Sequence, residues 1–204
     1  QHSYGEISAA TGQDITARSI SITALAGPSS TGFFTPAGLQ QIKTTGNSAG
    51  YGITIRNFGA KGTDQNGFGA AAYIATRTGT QSIDVANSDG ILIEGVGGTA
   101  IIDGEGPSQA ITIHGIGANR LDVFAAGGLA QIYGASASQS ITAGLGVEAG
   151  SISVHGGTQT GAIGQIYSAT GTQSITTSGT LSLTGGTAPA IAPFNLDQSD
   201  CLPA

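Results

Sequence analysis

Six carboxylates in the middle of the chain, Asp84, Asp89, Glu94, Asp103, Glu105 and Asp122, are the residues whose type could do chemistry. A glycoside hydrolase needs two such groups facing each other across a sugar, roughly 5 to 9.5 Å apart. The surrounding pattern points to a plainer role. Asp84 stands on the outward side of an alternating segment, between Thr54 and Thr112 in the neighbouring segments, with no second acid beside it. Asp103 and Glu105 fall in IIDGEG, where Asp and Gly are expected residues of a turn. His114 and His155 end different segments, so neither reads as half of a metal site. The single cysteine, Cys201, excludes an internal disulfide, a zinc finger or an iron–sulfur centre. It is either an incidental thiol or a link between subunits. Neither a G-x-S-x-G nucleophile turn nor a repeated G-G-x-G-x-D calcium turn occurs. The expectation is a protein that is not an enzyme, without catalytic, metal-ligating or cofactor-binding residues.

The elements that carry these residues are repeats. QIYGASASQSITA at 131–143 is nearly copied by QIYSATGTQSITT at 165–177. Extending that alignment gives a first short strand around Ile7, Ile42, Ile74, Ile102, Ile132 and Ile166. A second follows around Ile15, Ile53, Ile83, Ile111, Ile141 and Ile175. A third appears as apolar pairs, Ile20 and Ile22, Ile91 and Ile93, Leu121 and Val123, Ile152 and Val154, Leu181 and Leu183; in the second unit KGTDQNG at 61–67 reads as a loop instead. Within each strand the apolar residues alternate with Ser, Thr and Gln, which places one side inward and the other outward. Gly-rich corners separate the strands, and no helical stripe of adequate length is present. Three strands per unit, each stacked on its counterpart one unit later, make an all-β parallel β-helix of about six rungs, over residues 1–188, with a Pro-containing tail at 189–204.

The register exposes two columns. Two residues before the second-strand isoleucine stand Gln13, Tyr51, Gln81, Gln109, Gln139 and Gln173. Stacked carboxamides at the strand spacing of about 4.8 Å can pass hydrogen bonds along the axis and so meet the cost of burying polar groups. One residue after the isoleucine stand Thr16, Thr54, Asp84, Thr112, Thr142 and Thr176 on the outward side. Outward Thr arrays of this kind resemble the ice-binding faces of some β-helical antifreeze proteins, with Asp14, Gly52, Asp84 and Ala110 as interruptions.

Composition narrows the partners. Charged residues are 9% of the chain, far below the roughly 25% of ordinary soluble domains, and the net charge is −6. Phosphate binding needs clustered Lys and Arg, and only six exist, so nucleic acid is not expected as a partner. No apolar run approaches the roughly 20 residues of a membrane span.

Two resemblances follow from particular stretches. RNFGAKGTDQNG at 56–67 and IIDGEG at 101–106 resemble short turn motifs of pectate-lyase-like β-helix proteins, phage tail spikes included. That resemblance implies the fold and, as an alternative function, binding or degradation of polysaccharide. The repeat style of residues 1–188, with QIYSATGTQSITTSGTLSLTGG as its best example, resembles the repeats of filamentous-haemagglutinin-type exoproteins of Gram-negative bacteria. It implies a secreted, right-handed β-helix at the cell surface or in a matrix, with an adhesive or scaffold role.

The ends complete the expectation. A β-helix exposes unpaired N–H and C=O groups at each end, normally covered by a cap. No amphipathic helix precedes Ile7, and APAIAPFNLDQSDCLPA follows the last rung. The chain then either stacks head to tail on its own copies or is part of a longer solenoid. The expected joining surfaces are Ile7 and Ile15 in the first rung and Ile175 and Leu183 in the last, with a latch around Phe194 and Leu196. The partner is the chain itself, with surface glycans or matrix components as further candidates.

Overall fold

A computed structural model of the protein describes residues 3–25, 29–46, 50–59, 71–135, 138–159 and 161–186. Phe194, Leu196 and Cys201, the whole 189–204 tail and the 61–67 segment lie outside the described residues.

The described chain forms eighteen strands in six rungs of three. The first rung holds β1 (Ser3–Ser8), β2 (Gly12–Ala17) and β3 (Ile20–Ala24), and the second β4 (Ser29–Thr35), β5 (Leu39–Thr44) and β6 (Ile53–Asn57). The third holds β7 (Ala71–Thr76), β8 (Thr80–Ala86) and β9 (Gly90–Gly95), and the fourth β10 (Thr99–Gly104), β11 (Ser108–His114) and β12 (Arg120–Ala125). The fifth holds β13 (Leu129–Gly134), β14 (Ser138–Ala143) and β15 (Ser151–His155), and the sixth β16 (Ile163–Ser168), β17 (Gln173–Thr177) and β18 (Leu181–Thr184). Every third strand pairs, in parallel, so the chain winds three six-stranded sheets into a parallel β-helix.

Period-two alternation turns one apolar column of the first sheet and paired columns of the third into the core. Ile74, Ile102 and Ile132 stack in the first sheet, Ile42, Ile83, Ile111 and Ile141 in the second, and Ile53, Ile91, Leu121 and Ile152 in the third, all essentially without solvent contact. Removing one such side chain to Ala in a packed core costs about 2–5 kcal/mol. At the corner between the first and second sheets the rungs approach so closely that only glycine fits. A Cβ on Gly79 would lie 1.6 Å from the Gly38 carbonyl oxygen, and one on Gly106 would lie 1.8 Å from that of Gly79.

The second rung departs from the sequence expectation by one strand. Ile42, expected in a first strand, lies in β5 and pairs with Ile15 and Ile83 in the second sheet. Ile53, expected in a second strand, lies in β6 and belongs to the third sheet beneath Ile91. The first strand of this rung is β4, where Phe33 takes the place held by isoleucine in the other rungs. Its third strand, expected to be replaced by a loop, is β6.

A second apolar cluster lies outside the solenoid core, on the outer side of the first sheet. It consists of Phe34, Ala71, Tyr73, Ala75 and Ile101, with Tyr133 packed against it. Tyr73 is fully buried there and its hydroxyl is hydrogen-bonded to the Glu6 carboxylate. Gly32 makes room for it, since a Cβ at that position would stand 2.6 Å from the Tyr73 ring.

Candidate functional site

The corner between the first and second sheets holds an unbroken column of carboxamides. Gln40 Nε2 donates to Gln13 Oε1 at 3.0 Å, Gln81 to Gln40 at 2.9 Å, Gln109 to Gln81 at 2.7 Å, Gln139 to Gln109 at 2.7 Å and Gln173 to Gln139 at 2.6 Å. Parallel pairing in register places each amide over the last, and all point the same way. The second amide hydrogen is used as well. Gln40, Gln81 and Gln109 donate it to the carbonyls of Ala75, Asp103 and Tyr133, tying the second sheet to the next rung of the first. Gln40 replaces the expected Tyr51 in this column. The signal was present, because Gln40 stands two residues before Ile42 as Gln13 does before Ile15.

The ladder ends in two exposed rungs. Gln13 at one end turns its amide to the Ile7 carbonyl at 3.0 Å. At the other, Gln173 Oε1 accepts no hydrogen bond among the described residues. Of the expected joining residues, Ile7 is 59% exposed and Leu183 74%, at opposite ends, while Ile15 and Ile175 are half-buried against the core. An open hollow of about 420 Å³ at the first end is lined by Glu6, Ile7, Ile22 and Phe33. One of about 310 Å³ at the last is lined by Val154, Ala162, Ile163 and Leu183.

The carboxylates on the outer faces are mostly occupied by structural partners that the register brings beside them. Lys43 pairs with Asp84 across β5 and β8 at 3.7 Å, and His114 Nε2 lies 2.8 Å from the same carboxylate. Asp84 is thus flanked by Lys43 and Thr112 rather than by Thr54 and Thr112, and Thr54 lies in the third sheet. Arg56 meets Glu94 at 2.6 Å across β6 and β9, and Arg120 lies 3.7 Å from Asp89. The Tyr51 hydroxyl donates to Asp122 at 2.5 Å, with Arg120 over its ring. Burial first, then that hydrogen bond, pushes the Tyr51 hydroxyl up to about 12. Glu148 accepts the backbone N–H of Gly115 and Leu145, and the Gly115 bond foremost holds its carboxyl below the usual range.

Asp103 is the exception. It lies in strand β10 rather than in a turn, is 2% exposed, and its Oδ1 has no hydrogen-bond partner among the described residues. Burial, reinforced by the charge of Glu105, pushes it up to about 8.

His114 and His155 sit in the second and third sheets, His155 beside Ser153 at 2.5 Å and edge-on to Phe124. Among the described residues no group of three His, Cys, Asp or Glu could hold a metal, and no helix is long and apolar enough to cross a membrane. The outward column of the second sheet reads Thr16, Lys43, Asp84, Thr112, Thr142, Thr176, so the Thr array is continuous over three rungs only.

Fold and column together define a parallel β-solenoid with a polar spine. Comparison of the chain with protein-family models, with curated proteins and with solved structures returns no match.

Proposed function

We propose that the chain is an extracellular structural protein, a segment of a filament or adhesin stalk built by rung-on-rung stacking, with no catalysis. The observation that carries this reading is the polarity of the glutamine ladder. Each amide donates toward the first rung, so Gln173 Oε1 at one end is the acceptor that the Gln13 amide of a second copy would use. In the same register Ile166 meets Ile7, Ile175 meets Ile15, and Leu181 and Leu183 meet Ile20 and Ile22, apolar on apolar in all three sheets. A head-to-tail contact of this kind does not close and propagates as a filament.

Negative-stain electron microscopy of the purified chain tests it. Fibres with a subunit repeat near 29 Å, six rungs at about 4.8 Å each, are expected, and Leu183→Lys abolishes them while leaving a folded monomer. Discrete monomers at high protein concentration would remove self-assembly from the reading.

A further inference from the structure

The last two strands of the first sheet carry two tyrosines in register. Tyr133 in β13 pairs with Tyr167 in β16, and both rings stand on the outer face of that sheet, on neighbouring rungs. The rings are stacked, with centroids 5.7 Å apart and planes 16° from parallel. Among the described residues this is the one pair of tyrosines in ring contact. Tyr51 and Tyr73 are engaged elsewhere, their hydroxyls donating to Asp122 and Glu6. Tyr167 is 47% exposed and Tyr133 is half-buried, so small solutes reach the pair from the side of the sheet.

The composition of the chain directs an oxidant to these rings. Met and Cys are the side chains that oxidation ordinarily consumes, and the chain has no Met, no Trp and a single Cys. A phenol that loses an electron and a proton places its unpaired spin on the ring carbons beside the hydroxyl. Two such radicals on separate loops must find each other by collision. Two held face to face on adjacent strands need no search, and fixing reactants in this way turns an encounter into an intramolecular step. Burial first, then the nearby carboxyls of Asp103 and Glu105, holds the Tyr133 hydroxyl above its ordinary value, so it enters the reaction as the neutral phenol.

We propose that Tyr133 and Tyr167 form a site of oxidative cross-linking, joined as dityrosine by a one-electron oxidant such as a haem peroxidase with hydrogen peroxide. Each phenol gives one electron and one proton to the oxidant. A C–C bond forms between the two ring carbons beside the hydroxyls. Each of those carbons then loses its hydrogen as a proton while its ring oxygen takes one up, which restores both phenols. The protein loses two hydrogen atoms in all, and hydrogen peroxide is reduced to two waters. The new bond staples the fifth rung to the sixth and restricts the unfolded chain, as a disulfide does. It uses the face of Tyr167 turned toward Tyr133. In the head-to-tail register Ser8 of a second copy lies over the opposite face, so the site neither depends on the stacking proposed above nor competes with it.

Treatment of the full chain, folded and dilute, with a haem peroxidase and hydrogen peroxide tests it, read by dityrosine fluorescence and by mass spectrometry of the digested protein. A Tyr133–Tyr167 cross-link within single chains is expected, lighter by two hydrogens, at a yield at least about tenfold that of any other tyrosine pair. Tyr133→Phe and Tyr167→Phe keep the ring and the fold, and each abolishes the cross-link, whereas Tyr51→Phe retains it. Unfolding in urea before treatment lowers its yield to that of the other pairs. No dityrosine in the folded chain, dityrosine confined to cross-linked dimers, a main cross-link through another tyrosine, or equal yields from folded and unfolded chain overturns the proposal. The cross-link without fibres leaves this site standing and removes self-stacking; fibres without the cross-link do the reverse.

Discussion

Asp103 illustrates what a single residue can impose on this fold. Its ordinary value of 3.8 rises to about 8 in the folded protein, chiefly through burial. The native state therefore keeps a proton that the unfolded chain releases once the pH passes about 4. Stability is full below that point, falls as the pH climbs from about 4 to about 8, and is level above, with a slope of up to about 1.4 kcal/mol per pH unit. Denaturant titrations across this range should show the decline in the native protein and its loss in Asp103→Asn. A wild-type stability that is flat from pH 4 to 8 would mean that the carboxyl finds a partner or water in solution. The same residue marks a limit of reading sequence. IIDGEG looks like a turn because Asp and Gly dominate it, and only the pairing of β10 with β7 and β13 places Asp103 in a strand, on the covered side of its sheet.

At the scale of the element, the glutamine column behaves as one object. Gln109→Leu strands Gln81 Oε1 and takes away the acceptor of Gln139 Nε2, both buried. Each stranded group costs about 1–3 kcal/mol, so a loss of several kcal/mol is expected in urea unfolding. Gln173→Leu, in the exposed last rung, strands only Gln139 Oε1 and should cost clearly less. Equal losses at the two positions would show that the carboxamides act independently. Most of this column was legible, because the Q-x-I spacing recurs and period-two alternation assigns the glutamine and the isoleucine to one side of the strand. The second rung was not. Counting isoleucines passes over Phe33, which does the same work in β4, and so advances Ile42 and Ile53 by one strand each. The interval from Gln40 to Gln81 is 41 residues where the following ones are 28, 30 and 34, which removed the even spacing that would have exposed the slip. Gln131 and Gln165 were hidden for the opposite reason: in sequence they look like every other glutamine, and only the fold separates those inside the ladder from those on the outer face of the first sheet.

For the whole molecule, stability in a stack of rungs is a sum of terms between neighbours, so the ends open first. The strands of the central rungs bury their isoleucines almost fully, whereas β16 and β18 keep Ile163, Leu181 and Leu183 in contact with solvent. Amide hydrogen exchange of the monomer should thus be slowest in β7 through β12 and fastest in the sixth rung. Assembly changes that profile in a way that reveals its geometry. If copies join head to tail, the backbone groups of β16–β18 that have no partner among the described residues gain one, and those of β1–β3 become covered on their open side. Protection should then rise in the first and sixth rungs and stay the same in the third and fourth. A rise spread along the outer face of one sheet, with the end rungs still exchanging fast, would show lateral association instead. The exchange profile of fibres against monomer therefore separates a stalk that presents its side faces from a bundle that consumes them.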